Sequence, residues 1–202
     1  MKGTSEILEQ AIEQLATLPG TGRKSARRIA LHLLKRDRES VLRLADALVD
    51  LKQSITRCSI CGVISDGDPC TICSSTKRDS EKICVVEESQ DVFLIEKTNE
   101  FRGRYHVLGG LISPLDNIGP DDIRINQLMK RIKEDREPIE EVILALNPDS
   151  KGEATAYYIN KLLNSFEDIK VTRIAYGIPM GTELEFIDEA TLSRAFASRN
   201  TF

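Results

Sequence analysis

The sequence predicts a multi-part α/β protein that begins with a small helical bundle and continues into a mostly parallel sheet flanked by helices. Three observations carry this. Helical periodicity alone fills the first 57 residues, four cysteines then fall within sixteen residues, and from residue 83 short apolar runs alternate with helical ones. Strands alternating with helices build right-handed βαβ units, hence the parallel sheet. At 202 residues, the chain is long enough to bury a real core in one medium domain or in a small and a larger one. Its 41% apolar and 30% charged residues, 5% aromatics and no Trp suit a helix-rich chain better than a sandwich or barrel.

The first helix is expected over Thr4 to Thr17, where Ile7, Leu8, Ala11, Ile12 and Leu15 recur at helical spacing behind a Thr4-Ser5 start. It stops at Leu18-Pro19-Gly20-Thr21-Gly22. A second apolar series, Ala26, Ile29, Ala30, Leu33 and Leu34, follows at once. A third, from Val41 to Ile55, fills Ser40 to Arg57, and the three helices should bundle. The Gly-rich turn with Lys24-Ser25 resembles a phosphate-binding P-loop only superficially: Arg23 stands where that motif needs Gly, and a helix precedes the loop where it needs a strand. What remains is helix, glycine hairpin, helix. The free N–H groups opening the second helix, with its dipole, suit a phosphate. Lys24 and Arg28 share a helix face, with Arg23 and Arg27 as a neighbouring pair; together they can grip successive phosphates without reading bases. A plain solvated basic face is the alternative, against which stand eight basic and only two acidic residues between Arg23 and Arg43. His32 reads as a helix-face residue.

The net charge of -4 hides an asymmetry: residues 1–57 hold 11 basic and 7 acidic residues, a surplus of +4, which leaves -8 for the rest. The positive end is the one suited to a polyanion.

Cys58-x2-Cys61-x8-Cys70-x2-Cys73 is the strongest chemical signal. Each pair can place two thiolates on one metal, and two pairs complete a tetrahedral zinc site with no position open for water, so the predicted role is structural, with one zinc per chain. An iron–sulfur cluster uses similar ligands, but nothing nearby suggests redox work. The connector Gly62 to Pro69 reads as a turn, and Cys84, inside a predicted strand, as core.

Strands are expected at Ile83–Val86, Tyr105–Leu108, Val142–Leu146 and Val171–Ala175, and helices at Ser89–Asn99, Ile123–Arg136 and Gly152–Phe166, with a long Gly/Pro-rich loop over Gly109–Pro120. No apolar run reaches the roughly 18 to 20 residues that span a bilayer, and MKGTSEILEQ lacks the apolar core of a signal peptide, so an intracellular chain without membrane contact is expected.

The segments LPGTGRKSARRIA, the four-cysteine block, ICVVEE, YHVLGGLISPLDNIGPDDI, EVILALNPDSKGEATAYYI and TRIAYGIPMGTELEFIDEATLSRA, in this order, closely resemble the RecR family of bacterial recombination mediators. The resemblance covers nearly the whole chain. It implies a helix-hairpin-helix DNA-binding domain (1–57), a four-cysteine zinc finger (58–80), a Toprim domain (81–170) and a C-terminal Walker B-like segment and helix (171–202). It further implies a non-catalytic role in recombinational DNA repair in the bacterial cytoplasm, at the nucleoid. Ring-shaped homo-oligomers would hold single- or double-stranded DNA without sequence preference, in partnership with RecO and RecF. Carried over, the family's basic hairpin positions fall on Lys24 and Arg28, and its zinc ligands on Cys58, Cys61, Cys70 and Cys73. Arg23 stands where the family often has Pro and would add a phosphate contact.

Catalytic Toprim proteins gather a Glu after the first strand and an Asp-x-Asp after a later one around magnesium. Here Glu87 and its neighbour Glu88 follow the first strand, but the later strand ends in Asn147-Pro148-Asp149, with an amide in place of the first carboxylate. A magnesium-dependent nuclease is therefore the alternative and a non-enzyme the expectation. Glu87, Glu88, Asp149 and Glu153 would form an acidic site that docks a partner or is vestigial; Glu153 also suits a helix N-terminus. With only His32 and His106 available, covalent catalysis has little support. Gly177–Gly181 and Asp188–Leu192 match the family's C-terminal signature, and no chemistry follows from those residues alone.

Overall fold

Apolar spacing and turn chemistry build the first unit of the computed structural model, which describes residues 5–135, 138–175 and 177–199 and divides between Ile55 and Thr56. Helix α1 (Glu6–Ala16) begins after Ser5; Thr4, also in the predicted start, lies outside the described residues. The Leu18-Pro19-Gly20-Thr21 turn closes with Thr21 N–H donating to the Leu18 carbonyl at 3.0 Å, and Gly20 has φ 74°. This is a type II turn, with Pro fixing the second position and Gly supplying the left-handed third. Helix α2 (Arg23–Lys35) packs its small residues Ala26 and Ala30 against Ile12, with Leu8, Leu15 and Ala16 around them. Helix α3 (Arg38–Ser54) is capped by Asp37, whose carboxylate accepts from Ser40 N–H at 2.8 Å, but buries no residue. Leu42, Leu44, Leu48, Val49 and Leu51 are 44–59% exposed. The three-helix bundle expected from periodicity is thus a packed pair plus a helix with an uncovered apolar face.

Thr56 and Arg57, assigned to the third helix by periodicity, instead form β1 (Thr56–Arg57), antiparallel to β2 (Ile64–Ser65). The connector expected to be an unpacked turn therefore contains a strand and the buried Val63. A second sheet follows, all parallel, in the order β4-β3-β5-β6: β3 (Lys82–Val86), β4 (Arg104–Val107), β5 (Glu141–Ala145) and β6 (Lys170–Arg173). Helices α4 (Ser89–Thr98), α5 (Ile125–Glu134) and α6 (Ser150–Leu163) make the crossovers, and α7 (Glu189–Ala197) follows β6. The predicted alternation is present. Of the predicted α5 span, Ile123 lies before the helix and Arg136 outside the described residues.

Successive residues of β3 serve opposite faces of the sheet. Ile83 and Val85 join Leu108, Ile125, Leu128, Val142, Leu144, Ile159 and Leu163 in one core. Cys84 and Val86 join Val92, Tyr105 and Val107 in another, shared with Cys58, Cys61, Val63 and Cys70. The cysteine block is therefore built onto one sheet face, and Cys84 is core as expected, its thiol pushed up to about 12 by burial. Strand β4 lies at the sheet edge, where unpaired backbone groups invite aggregation. Here Val107 N–H donates to the Cys61 carbonyl at 2.7 Å, and Arg131 Nη1 donates to the Tyr105 carbonyl at 2.6 Å. On the Cys84 side, the Tyr105 hydroxyl and Arg78 both donate to the Glu96 carboxylate, at 2.6 Å and 2.9 Å. His106 is fully buried, its Nε2 donating to the Arg124 carbonyl at 2.8 Å. Burial, with smaller help from the Arg131 and Arg124 charges, holds its pKa down to about 3, against the hydrogen bond to Arg124.

Candidate nucleic-acid interface and metal centre

Residues at i, i+4, i+7 and i+11 lie along one face of a helix, and Lys24, Arg28, Leu31 and Lys35 follow this spacing on α2. With Ser25, Arg27 and His32 they line a groove of ≈ 620 Å³. Gly22 precedes the helix without a side-chain cap, and no acidic residue lies in the first turn, so the opening N–H groups have no capping side chain. Arg23 is not a lining residue: its Nη2 is 2.7 Å from Glu9 Oε2, and Arg27 Nη2 is 3.5 Å from the other oxygen of the same carboxylate. Of the four basic residues singled out from sequence, Lys24, Arg27 and Arg28 thus share the groove, while Arg23 and Arg27 are tied to α1. Lys35 was not singled out, although its spacing from Lys24 identifies it.

The four predicted thiols come together. Cys58, Cys61, Cys70 and Cys73 bring their Sγ atoms within 4.8 Å of one another, with Cys73 the least buried. Cys61 Sγ and Cys70 Sγ are 3.7 Å apart, against about 3.8 Å for two corners of a tetrahedron with 2.3 Å Zn–S bonds. Backbone N–H groups of Cys70 and Cys73 point at Cys58 Sγ and Cys70 Sγ, both at 3.4 Å. A hydrogen bond from the Cys73 side chain pulls the Cys61 thiol down to about 5, with smaller help from Val63, Cys58 and Cys70. The same bond and burial push Cys73 up, and burial leads in pushing Cys70 up to about 11. Four thiols competing to share negative charge in a partly buried site are the donor set a soft, thiophilic cation suits. Gly62, with φ 82°, makes the tight turn: a Cβ there would lie 3.0 Å from the Val107 carbonyl oxygen and 2.6 Å from Arg124 Nε.

At the carboxyl ends of the strands, Asn147 Nδ2 donates to Glu87 Oε2 at 3.1 Å. Burial first, then the charges of Asp91, Glu88 and Asp149, raises the Glu87 pKa, against the Asn147 hydrogen bond. Asp91, missed in the sequence reading, accepts Glu88 N–H at 2.8 Å and belongs to the group. Asp149 caps α6, accepting Gly152 N–H at 2.8 Å. Gly152 is required there, because a Cβ would fall 2.0 Å from the Asn147 carbonyl oxygen. Glu153, in the first turn of α6, has its carboxylate 3.4 Å from Arg173 Nη1 and 3.6 Å from Arg194 Nη1. Among the described residues, the four cysteines are the one group of three or more His, Cys, Asp or Glu side chains whose ligand atoms converge.

The chain matches four family models: the RecR helix-hairpin-helix over residues 8–52, the RecR four-cysteine zinc finger domain over 55–75, the Toprim domain over 81–175 and the RecR C-terminal model over 177–200. It is 55% identical over 204 aligned residues to the recombination protein RecR of Chlorobium limicola, covering 99% of both chains. It is 51% identical over 193 residues to that of Clavibacter michiganensis, covering 96% of both. The chain belongs to the RecR family. The RecR helix-hairpin-helix match lies wholly within the first structural unit, and the RecR zinc-finger match takes in β1, β2 and all four cysteines. The Toprim match contains Glu87, Asn147 and Asp149. In the second unit, Gly177 and Pro179, with Asp188, Thr191 and Arg194 of the RecR C-terminal match, line a groove of ≈ 550 Å³ together with Pro148 and Ala175.

Proposed function

We propose that this chain holds DNA during recombinational repair as a non-catalytic, multi-copy clamp acting in the bacterial cytoplasm with RecO and RecF. The observation that carries the reading is the Lys24–Arg28–Lys35 stripe beside the uncapped start of α2, which offers cationic side chains and backbone donors to phosphates on one helix face. Cations and backbone N–H groups on one helix face suit phosphate rather than base edges, so contact is expected to be independent of sequence with single- or double-stranded DNA alike. Arg23 adds a contact if it exchanges Glu9 for phosphate. One such helix binds weakly, and several on one strand gain by avidity. The uncovered apolar face of α3 supports assembly into an oligomer, which we take to be a ring.

Zinc is the metal proposed for the cysteine site, one ion per chain, held by Cys58, Cys61, Cys70 and Cys73. When bound, it supplies a cross-link and leaves no coordination position for substrate. The strand-end carboxylates Glu87, Glu88, Asp91 and Asp149 are proposed to dock a partner protein. No helix among the described residues is long and apolar enough to cross a membrane; the place of action we propose is the nucleoid.

The Toprim match keeps a magnesium-dependent nuclease as the competing reading. Asn147 opposes it, since it presents an amide to Glu87 where a second carboxylate would be needed to hold the cation. End-labelled DNA incubated with magnesium is expected to remain intact with the wild-type chain and with Glu87→Ala alike. Cleavage by the wild type that disappears in Glu87→Ala would replace the clamp with an enzyme.

A further inference from the structure

The groove on α2 has a second row of side chains. Beside the line of Lys24, Arg28, Leu31 and Lys35, the residues Ser25, Arg28 and His32 stand at i, i+3 and i+7, a neighbouring line that shares Arg28 and borders the same groove. His32 is exposed, lies in the last turn of the helix, and makes no side-chain hydrogen bond or ion pair among the described residues. Its neighbours on the helix surface are Arg28, four positions before, and Lys35, three positions after. Lysine and arginine stay cationic at every pH near neutrality, whereas histidine changes charge between about pH 5 and 8. His32 is thus the lining side chain whose charge a proton can set.

Among the described residues no carboxylate lines the groove. Helix α1 packs against Ala26 and Ala30, on the other side of α2, and carries Glu6, Glu9 and Glu13; Glu9 is held by Arg23 and Arg27. Past the end of α2, Asp37 is taken up in capping α3, and Glu39 pairs with Arg43. The remaining α3 charges, Arg38, Asp46, Asp50 and Lys52, do not line the groove either. The anion that completes this face must therefore come from a ligand. A phosphate seated against Arg28 and Lys35 brings negative charge within reach of the ring and favours its imidazolium form. The sign follows from linkage: a group that gains a proton on binding makes binding tighter as the pH falls.

We propose that His32 is a further phosphate contact of this groove, holding DNA as the imidazolium, so that each engaged copy takes up a proton as it binds. This rests on the reading of the α2 stripe as the DNA grip. The test is fluorescence anisotropy of the full chain with a labelled oligonucleotide at about pH 6 and about pH 8, across a salt series. Wild type is expected to bind about fivefold or more tightly at the lower pH, with a salt slope steeper by up to about 0.9 per engaged copy. His32→Gln should change by less than about twofold between the two conditions and show one salt slope at both. His32→Arg should hold at the higher pH the affinity that wild type reaches only at the lower. Other groups that titrate in this range are common to wild type and variants, so the difference isolates position 32. Equal pH dependence in wild type and His32→Gln overturns the assignment and leaves the Lys24 and Arg28 grip in place. Weaker binding by His32→Arg than by wild type at the higher pH, with an unchanged melting temperature, overturns it too. If wild type binds DNA in neither condition, the grip itself fails and His32 with it.

Discussion

Replacing Lys24 and Arg28 together by alanine is expected to abolish measurable DNA binding at physiological salt and to leave folding and assembly unchanged. Both side chains line the α2 groove, and neither makes an ion pair or side-chain hydrogen bond among the described residues, so the fold loses no partner. Arg23 and Arg27 differ, because Glu9 already occupies them. Their replacement removes exposed ion pairs worth at most about 1 kcal/mol and a smaller share of the phosphate contact. Each phosphate-bound cation contributes about 0.9 to the slope of log K against log salt. An assembly engaging several copies should therefore show a steep salt dependence that flattens in the double variant. Fluorescence anisotropy with a labelled oligonucleotide across a salt series measures both quantities. Unchanged affinity at low salt, or a flat wild-type profile, would remove the hairpin from the mechanism.

Cys58→Ser is expected to be the most destabilising single change, and metal analysis of the wild type to find about one zinc per chain. The cysteines share a core with Cys84, Val86, Val92, Tyr105 and Val107, and the Cys61 carbonyl receives the Val107 N–H of edge strand β4. Losing the metal cross-link thus reaches the sheet as well as the cysteine loop. Structural zinc contributes about 10–16 kcal/mol in isolated finger peptides, and even a third of that lowers the melting temperature by about 10 °C in a domain of this size. Calorimetry of Cys58→Ser, and of wild type with a chelator, should show the drop. Absence of zinc, or an unshifted transition, would refute the assignment.

Local patterns in the sequence carried most of this architecture. Apolar spacing located α1, α2 and the crossover helices, Pro19-Gly20 located the turn, and the Cys-x2-Cys pairs located the four clustered thiols. What escaped is set by partners distant in the chain. Thr56 and Arg57 continue a helical pattern locally, yet pairing with Ile64 and Ser65 makes them a strand. Periodicity shows that α3 is amphipathic but not what covers it. Glu153 reads from the sequence as a strand-end carboxylate, but its ion-pair partners Arg173 and Arg194 stand 20 and 41 positions on and are not legible locally. Lys151 likewise meets Asp116 across 35 positions. Lys35 was within reach of sequence reading, since it continues the 24–28–31 spacing.

The central claim is that several copies of one weak phosphate grip act together on DNA. Light-scattering mass in solution, measured with and without a DNA fragment, tests it most directly. The expected mass is a multiple of the 22.6 kDa chain, kept or increased when DNA is bound. A monomer that binds DNA with full affinity would contradict it.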